Sequence, residues 1–320
     1  MRECADRPTT GRALGCPACR GAFRKHPYHG GFVRATLFPA LLAPRHLIFT
    51  ALKGALLNPR TGSFAEAEEA LSELDRRRIP LVLLTSRTRA EIEPLRRKLR
   101  HGHPFITESG GGIFFPDGYF NLRIPGAERS GRYLRVALGR PYEEVTAALD
   151  DIAEETGVGV TGFHHMSPRE IADNTGLRPR DSEYARDREF DESFFFTSAD
   201  GQAIARFVAA ASQRGFTARP GKTFWHFSSG CDAARAVRSL TQLFRDATRI
   251  RLRAVGIGSG KEDLSWLRAV DHAILLPAGP DVESAGLDTS LPKSITLGDT
   301  PGPAGWNMAI RNIISYYPEH

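Results

Sequence analysis

From His46 onward, apolar and polar positions fall into a repeating order. Leu47, Ile48 and Phe49 form a short apolar run, Gly54 marks a turn, and Ala67, Ala70, Leu71 and Leu74 recur at helical spacing within 65–78. This pattern predicts a strand, a loop and a helix. Pro80 opens a second apolar run over 81–84, which ends at Thr85-Ser86 and leads into a helical stretch over 88–99. Strands apolar on both faces and separated by amphipathic helices predict a parallel sheet covered on both sides. Such sheets bind ligands at the C-terminal strand ends, here 50–54 and 85–88.

Past Phe105-Ile106-Thr107-Glu108 and the run Gly110-Gly111-Gly112 the texture changes. Stretches 133–138, 193–197 and 224–227 read as half-buried strands, alternating with helices over 142–155 and 202–214, which predicts an α+β insertion. The parallel pattern returns with a helix over 232–244 and an apolar strand over 254–257 that ends in Gly258-Ser259-Gly260. The expected organisation is a core from 45–120 and 230–320, with a cap from 121–229. Residues 1–44 are set apart as a basic, cysteine-containing extension, expected to be poorly ordered.

Charge sharpens this division. The chain carries a net +6, yet no Asp or Glu lies between Arg7 and Ala65, where nine Lys and Arg residues fall. The rest of the chain is therefore net acidic, and no nucleic-acid-binding surface is indicated. No apolar run approaches the roughly 20 residues of a membrane helix. Four cysteines in 320 residues make no disulfide framework, so a reducing, cytoplasmic setting is expected. Cys16 and Cys19 have the spacing of half a zinc site, with Cys4, His26 and His29 nearby, and a leader with incidental cysteines is the alternative.

Four stretches carry a more specific signal. Thr85-Ser86-Arg87-Thr88-Arg89-Ala90-Glu91, Glu108-Ser109-Gly110-Gly111, Thr175-Gly176-Leu177 with Arg188-Glu189-Phe190-Asp191-Glu192, and Gly302-Pro303-Ala304-Gly305-Trp306-Asn307 occur in that order. Together they resemble the mannosyl-3-phosphoglycerate phosphatase family of the haloacid dehalogenase (HAD) superfamily. The resemblance implies an α/β fold: a HAD-like Rossmannoid parallel-sheet core with an inserted α+β cap of the C2B type. It also implies phosphate contacts from Thr85, Ser86 and Arg87. A sugar and glycerate surface is implied from Glu108, Gly110, Gly111, Arg188, Glu189 and Glu192, with His164, His165 and Thr175 close by. Thr85 and Ser86 are equally candidates to cap the helix that follows. His226 and Trp306 read as packing residues.

The same resemblance exposes four departures. Where the family has D-x-D-G-T, with a nucleophilic and a general acid/base Asp, this chain reads Ala51-Leu52-Lys53-Gly54-Ala55. A methyl group cannot attack phosphorus, and an ammonium cannot replace the carboxylate acid and base. The family's lysine after the cap aligns with Ala233, Arg235 lying two residues on. Its metal-binding Asp aligns with Ser259, leaving Asp263 and the neighbouring Glu262 as weak metal candidates. The expectation is a pseudoenzyme that keeps a site for a small phosphorylated ligand, with Lys53 supplying the positive charge and no cofactor required. Two alternatives stay open: an active or weakly active sugar-phosphate phosphatase using magnesium, and a scaffold that recruits an unknown protein partner through the N-terminal extension.

Overall fold

The computed structural model describes residues 45–221, 223–277 and 295–316. The expected extension, with Cys16 and Cys19, lies outside the described residues.

The chain opens as β1 (His46–Ala51), α1 (Glu68–Arg76), β2 (Leu81–Leu84), α2 (Arg89–Lys98) and β3 (Phe105–Thr107), followed by three antiparallel strands, β4 (Gly112–Pro116), β5 (Ala127–Ser130) and β6 (Tyr133–Ala137). Next come α3 (Tyr142–Thr156), β7 (Gly159–Gly162), α4 (Pro168–Thr175), α5 (Pro179–Arg186), β8 (Asp191–Ser198), α6 (Gly201–Gln213), β9 (Thr217–Pro220) and β10 (Trp225–Ser228). The chain then continues through α7 (Ala233–Thr248), β11 (Arg253–Gly258), α8 (Leu264–Leu267), β12 (His272–Leu275), β13 (Ile295–Leu297) and α9 (Gly302–Tyr316).

Among the described residues, nine strands form one sheet in the order β13-β12-β11-β1-β2-β3-β4-β6-β5. The first six run parallel, and β4, β6 and β5 extend the sheet antiparallel. A second sheet, β7-β8-β10-β9, is antiparallel throughout. Each sheet has its own apolar core. β1, β2 and β11 bury Leu47, Phe49, Val82, Leu83, Val255 and Ile257 in the larger core. The second is built from Val145, Leu149, Ile152, Phe194, Phe207 and Phe227 between α3, α6 and the small sheet. This is the α/β core with an α+β cap that the sequence implied.

One segment sits elsewhere than expected. The strand over 133–138, assigned to the cap, pairs with β4 through Ile113 to Val136 and so lengthens the core sheet. Tyr133 explains the choice, because its ring packs edge-on against Phe105 and Phe114 in the larger core. The small sheet and its helices therefore begin at α3 rather than at residue 121.

The C-terminal Gly-x-x-Gly-Trp-Asn stretch fastens α9 to the start of the core. Trp306 is fully buried and its indole N–H donates to Thr50 Oγ1 at 2.9 Å. Asn307 Oδ1 accepts the Ala70 N–H at 2.9 Å, tying α9 to α1. Trp306 is thus the core anchor its sequence setting suggested. Trp306→Phe is expected to lower unfolding free energy by about 1–3 kcal/mol, since it leaves the buried Thr50 oxygen without that donor; urea denaturation checks the value.

Candidate functional site

β11, β1 and β2 lie side by side and end together. Thr50 pairs with Ile257 and Ala51 with Leu84, so residues 51–54, 85–87 and 258–263 converge at one sheet edge. Parallel strands with crossover helices place all their C-terminal ends on that edge, as expected of a ligand-binding face.

Ala51 is 6% exposed at the end of β1, and no carboxylate stands at that position. Lys53 lies two residues further, exposed, and its main-chain oxygen accepts the Ser259 hydroxyl at 2.9 Å. Gly54 makes this approach possible: its φ is +81°, and a Cβ there would lie 2.6 Å from Ser259 Oγ. A serine closes the two loops because its hydroxyl donates to a carbonyl. A carboxylate at 259 could not make that bond.

Asp263 is buried, and both its oxygens are already engaged. Oδ2 accepts the Ser259 and Gly260 N–H groups at 2.8 and 3.2 Å, and Oδ1 accepts the Trp266 indole at 3.0 Å. Burial pushes its pKa up, against the pull of those donors. Glu262 is exposed. Magnesium requires a near-octahedral shell of hard oxygens, usually with more than one free carboxylate. The residues present are a poor fit for it: Asp263, a weak metal candidate from sequence, spends both oxygens on capping its own loop.

Thr85 is buried at the end of β2, and its Oγ1 accepts the Arg87 N–H at 3.1 Å. Among the described residues the hydroxyl makes no other bond, which leaves its proton to donate. Neither Thr85 nor Ser86 caps α2. That role falls to Thr88, whose Oγ1 accepts the Glu91 N–H at 3.1 Å while its own N–H donates to the Glu91 carboxylate at 2.9 Å. The anion-attracting helix start is therefore partly filled from within. Among the described residues, neither Lys53 nor Arg87 forms an ion pair.

The residues expected to read a sugar or glycerate are engaged within the chain. Glu108 is fully buried and accepts the N–H groups of Glu189, Phe190 and Asp191 at 3.1, 2.7 and 3.0 Å, joining the third core loop to the start of β8. Arg188 forms a buried pair with Asp191 at 2.5 Å and also donates to the carbonyls of Ala185 and Ser86. Glu189 bridges Arg89 and Arg135, each at 2.8 Å. Glu192, fully buried, accepts from the Tyr142 hydroxyl and the Phe163 N–H. Gly110, with φ +96°, leaves room for the α7 N-terminus, since a Cβ would meet Ala233 N at 2.5 Å. Gly111 likewise admits the Phe190 side chain, 2.5 Å from where its Cβ would be. Buried carboxylates and guanidinium groups demand partners, and here the partners are protein groups joining core to cap. Asp191, Arg89, Arg135 and Tyr142 complete this network; sequence alone offers Arg188 pairing with a neighbouring acid at a charged helix end, and Asp191 is that acid.

The chain is 34% identical over 271 residues to a glucosyl-3-phosphoglycerate/mannosyl-3-phosphoglycerate phosphatase of Methanococcoides burtonii, covering 84% of this chain and 97% of that protein. It is also 34% identical to the phosphatase of the same description from Persephonella marina, with the same two coverages. A mannosyl-3-phosphoglycerate phosphatase of Pyrococcus furiosus is 31% identical, covering 64% of this chain and 81% of that protein. No family model matches. Among solved structures, a HAD subclass IIB sugar phosphatase superposes with a TM-score of 0.53 at 15% identity, covering 84% of this chain and 98% of the other. A haloacid dehalogenase-like hydrolase from Bacteroides thetaiotaomicron gives 0.55 at 17% identity, covering 84% and 99%.

Proposed function

The chain belongs to the mannosyl-3-phosphoglycerate phosphatase family of the HAD superfamily, and from that premise we propose that it binds a phosphorylated sugar or glycerate without hydrolysing it by the family's aspartate route. One observation carries the proposal. The edge where β11, β1 and β2 end holds Ala51 and Ser259 in place of carboxylates, yet carries Lys53 and Arg87, which form no ion pair among the described residues, and the Thr85 hydroxyl, whose proton is left to donate. A phosphate needs positive charge and oriented donors to bind, and it needs a nucleophile only to react. Lys53 stands in as a point charge where a magnesium ion would otherwise offset the phosphate.

A second reading is an active sugar-phosphate phosphatase. The similarity to two proteins named as phosphatases, over 84% of this chain and 97% of each of them, favours it. On that reading the chemistry would have to come from Glu262, Asp263 or Lys53, and Asp263 would first have to release the three donors it now holds.

Calorimetry with a phosphorylated glycoside separates binding from its absence. Lys53→Ala is expected to weaken affinity by about ten- to a hundredfold, the loss of one charge-assisted hydrogen bond. Binding should weaken as salt rises and should not respond to a chelator. Equal affinity for both proteins, or no binding to either, would favour a scaffold role. Affinity that requires magnesium would favour the phosphatase.

A further inference from the structure

Outside the strand ends, a second group of side chains converges in the cap. Asp150 comes from α3, and His164 and His165 come from the tight turn that follows β7. Among the described residues, these three are the set of His, Cys, Asp and Glu whose ligand atoms all fall within 4.8 Å of one another. His164 Nε2 lies 3.2 Å from each Asp150 oxygen, and His165 Nε2 lies 3.4 Å from Oδ2. Two ligand atoms about 2.05 Å from a tetrahedral ion stand about 3.3–3.4 Å apart. The two histidine-to-carboxylate spacings are therefore those of a coordination sphere, and the full set of three lies within 4.8 Å.

Neighbouring side chains seldom point the same way, and bringing these two imidazoles together requires local support. Their ring centroids are 3.8 Å apart and tilted by 39°. Behind His164 stands a carboxylate: the buried Nδ1, which has no hydrogen-bond partner among the described residues, lies 3.5 Å from Glu192 Oε1. Glu192 is in turn fixed by the Tyr142 hydroxyl and the Phe163 N–H. Gly162 lets this stack form, because a Cβ there would lie 2.5 Å from His164 Nδ1 and 2.8 Å from Glu192 Oε1. A carboxylate that accepts the far N–H of a metal-binding histidine fixes its tautomer and leaves Nε2 to the metal, and Glu192 is placed to take that role once an ion draws His164 into position. The front is open, with the Asp150 and His165 side chains 44% and 47% exposed, so an ion can enter and water can complete its shell.

We propose that Asp150, His164 and His165 form a site for a divalent transition-metal ion, zinc being the best fit, with Glu192 as the group that orients His164. Two imidazoles and one carboxylate with an open position are a donor set that zinc accepts. The bound ion would clamp α3 to the turn after β7, so the site's first effect would be on cap stability. The proposal is independent of any phosphate bound at the strand ends.

The test titrates the full-length protein with zinc by calorimetry and with cobalt by visible absorption, for wild type, Asp150→Asn and His165→Ala. Both substitutions are at half-exposed positions, so folding should be retained. Wild type should bind with a cobalt spectrum of nitrogen and oxygen ligation and no thiolate charge-transfer band, which distinguishes this site from Cys16 and Cys19. Each variant should bind at least about tenfold more weakly, the smaller end of the loss seen when even an outer-shell partner is removed. Zinc should raise the Tm of wild type and leave that of Asp150→Asn unchanged. No binding, equal affinity in all three proteins, or a spectrum of thiolate ligation that Asp150→Asn leaves unaltered would overturn the proposal and leave the cluster as an ion pair with a stacked imidazole.

Discussion

Inorganic phosphate is expected to stay at background when the protein is incubated with magnesium and either mannosyl- or glucosyl-3-phosphoglycerate. Loss of a nucleophile alone costs on the order of 10⁶ in turnover, and residues that act as a unit with it add little further loss once it is gone. Ala51 occupies the strand end at which the resemblance places that nucleophile, and Lys53 follows it. The same non-additivity makes a second expectation: Ala51→Asp by itself should leave the rate at background. Ser259 would still hold the Lys53 carbonyl, Asp263 would still cap its own loop, and Ala233 would still supply no cation. A phosphate-release assay on both proteins reads this directly. Release above background that disappears in Lys53→Ala or Asp263→Ala would establish the phosphatase reading instead.

Replacing Glu108 by alanine is expected to destabilise the protein by about 3–5 kcal/mol, because it strands the N–H groups of residues 189–191 and leaves the Arg188 and Asp191 pair without its neighbour. Glu108→Gln should behave differently. Burial, and after it the nearby Asp191, hold the Glu108 pKa well above the ordinary range, with Arg188 offsetting only part of the effect. A carboxyl whose folded-state pKa is raised contributes most below its unfolded value and loses that contribution as pH rises through the folded value. Wild-type stability should therefore fall with rising pH between the ordinary glutamate range and that raised value. Glutamine carries no charge and keeps an acceptor for the backbone donors, so Glu108→Gln should retain most of the stability and flatten this slope. Urea unfolding of the three proteins across that pH range checks both expectations. A loss in Glu108→Gln as large as in Glu108→Ala would show that the charge itself is needed.

What the sequence made legible follows from where the determining forces are local. The continuous apolar runs of β1, β2 and β11 announce strands buried on both faces, and the helical spacing around them announces the crossovers. Their shared sheet edge, and hence the place of Ala51, Lys53, Thr85 and Ser259, follows from that topology. Strand β6 was misplaced because alternation identifies a half-buried strand without saying which sheet it joins. That choice is made by Tyr133 packing on Phe105 and Phe114, contacts distant in sequence. The role of Glu108 was hidden for the same reason. Its backbone donors lie more than 80 residues away. A sequence shows a carboxylate in a loop but not the partners that burial forces upon it. The Asp150, His164 and His165 group spans two elements with no motif spacing, so only the fold of the cap brings it together.

The strand-end site, as proposed, holds a phosphorylated ligand and leaves it intact. Phosphorus NMR of the protein, mixed with an equal amount of a 3-phosphoglycerate glycoside and magnesium, follows binding and hydrolysis in one tube. The expected result is a ligand resonance shifted or broadened by wild-type protein, restored towards its free position with Lys53→Ala, and no inorganic phosphate signal over many hours. A growing inorganic phosphate resonance, or a ligand resonance that never departs from its free position, would contradict it.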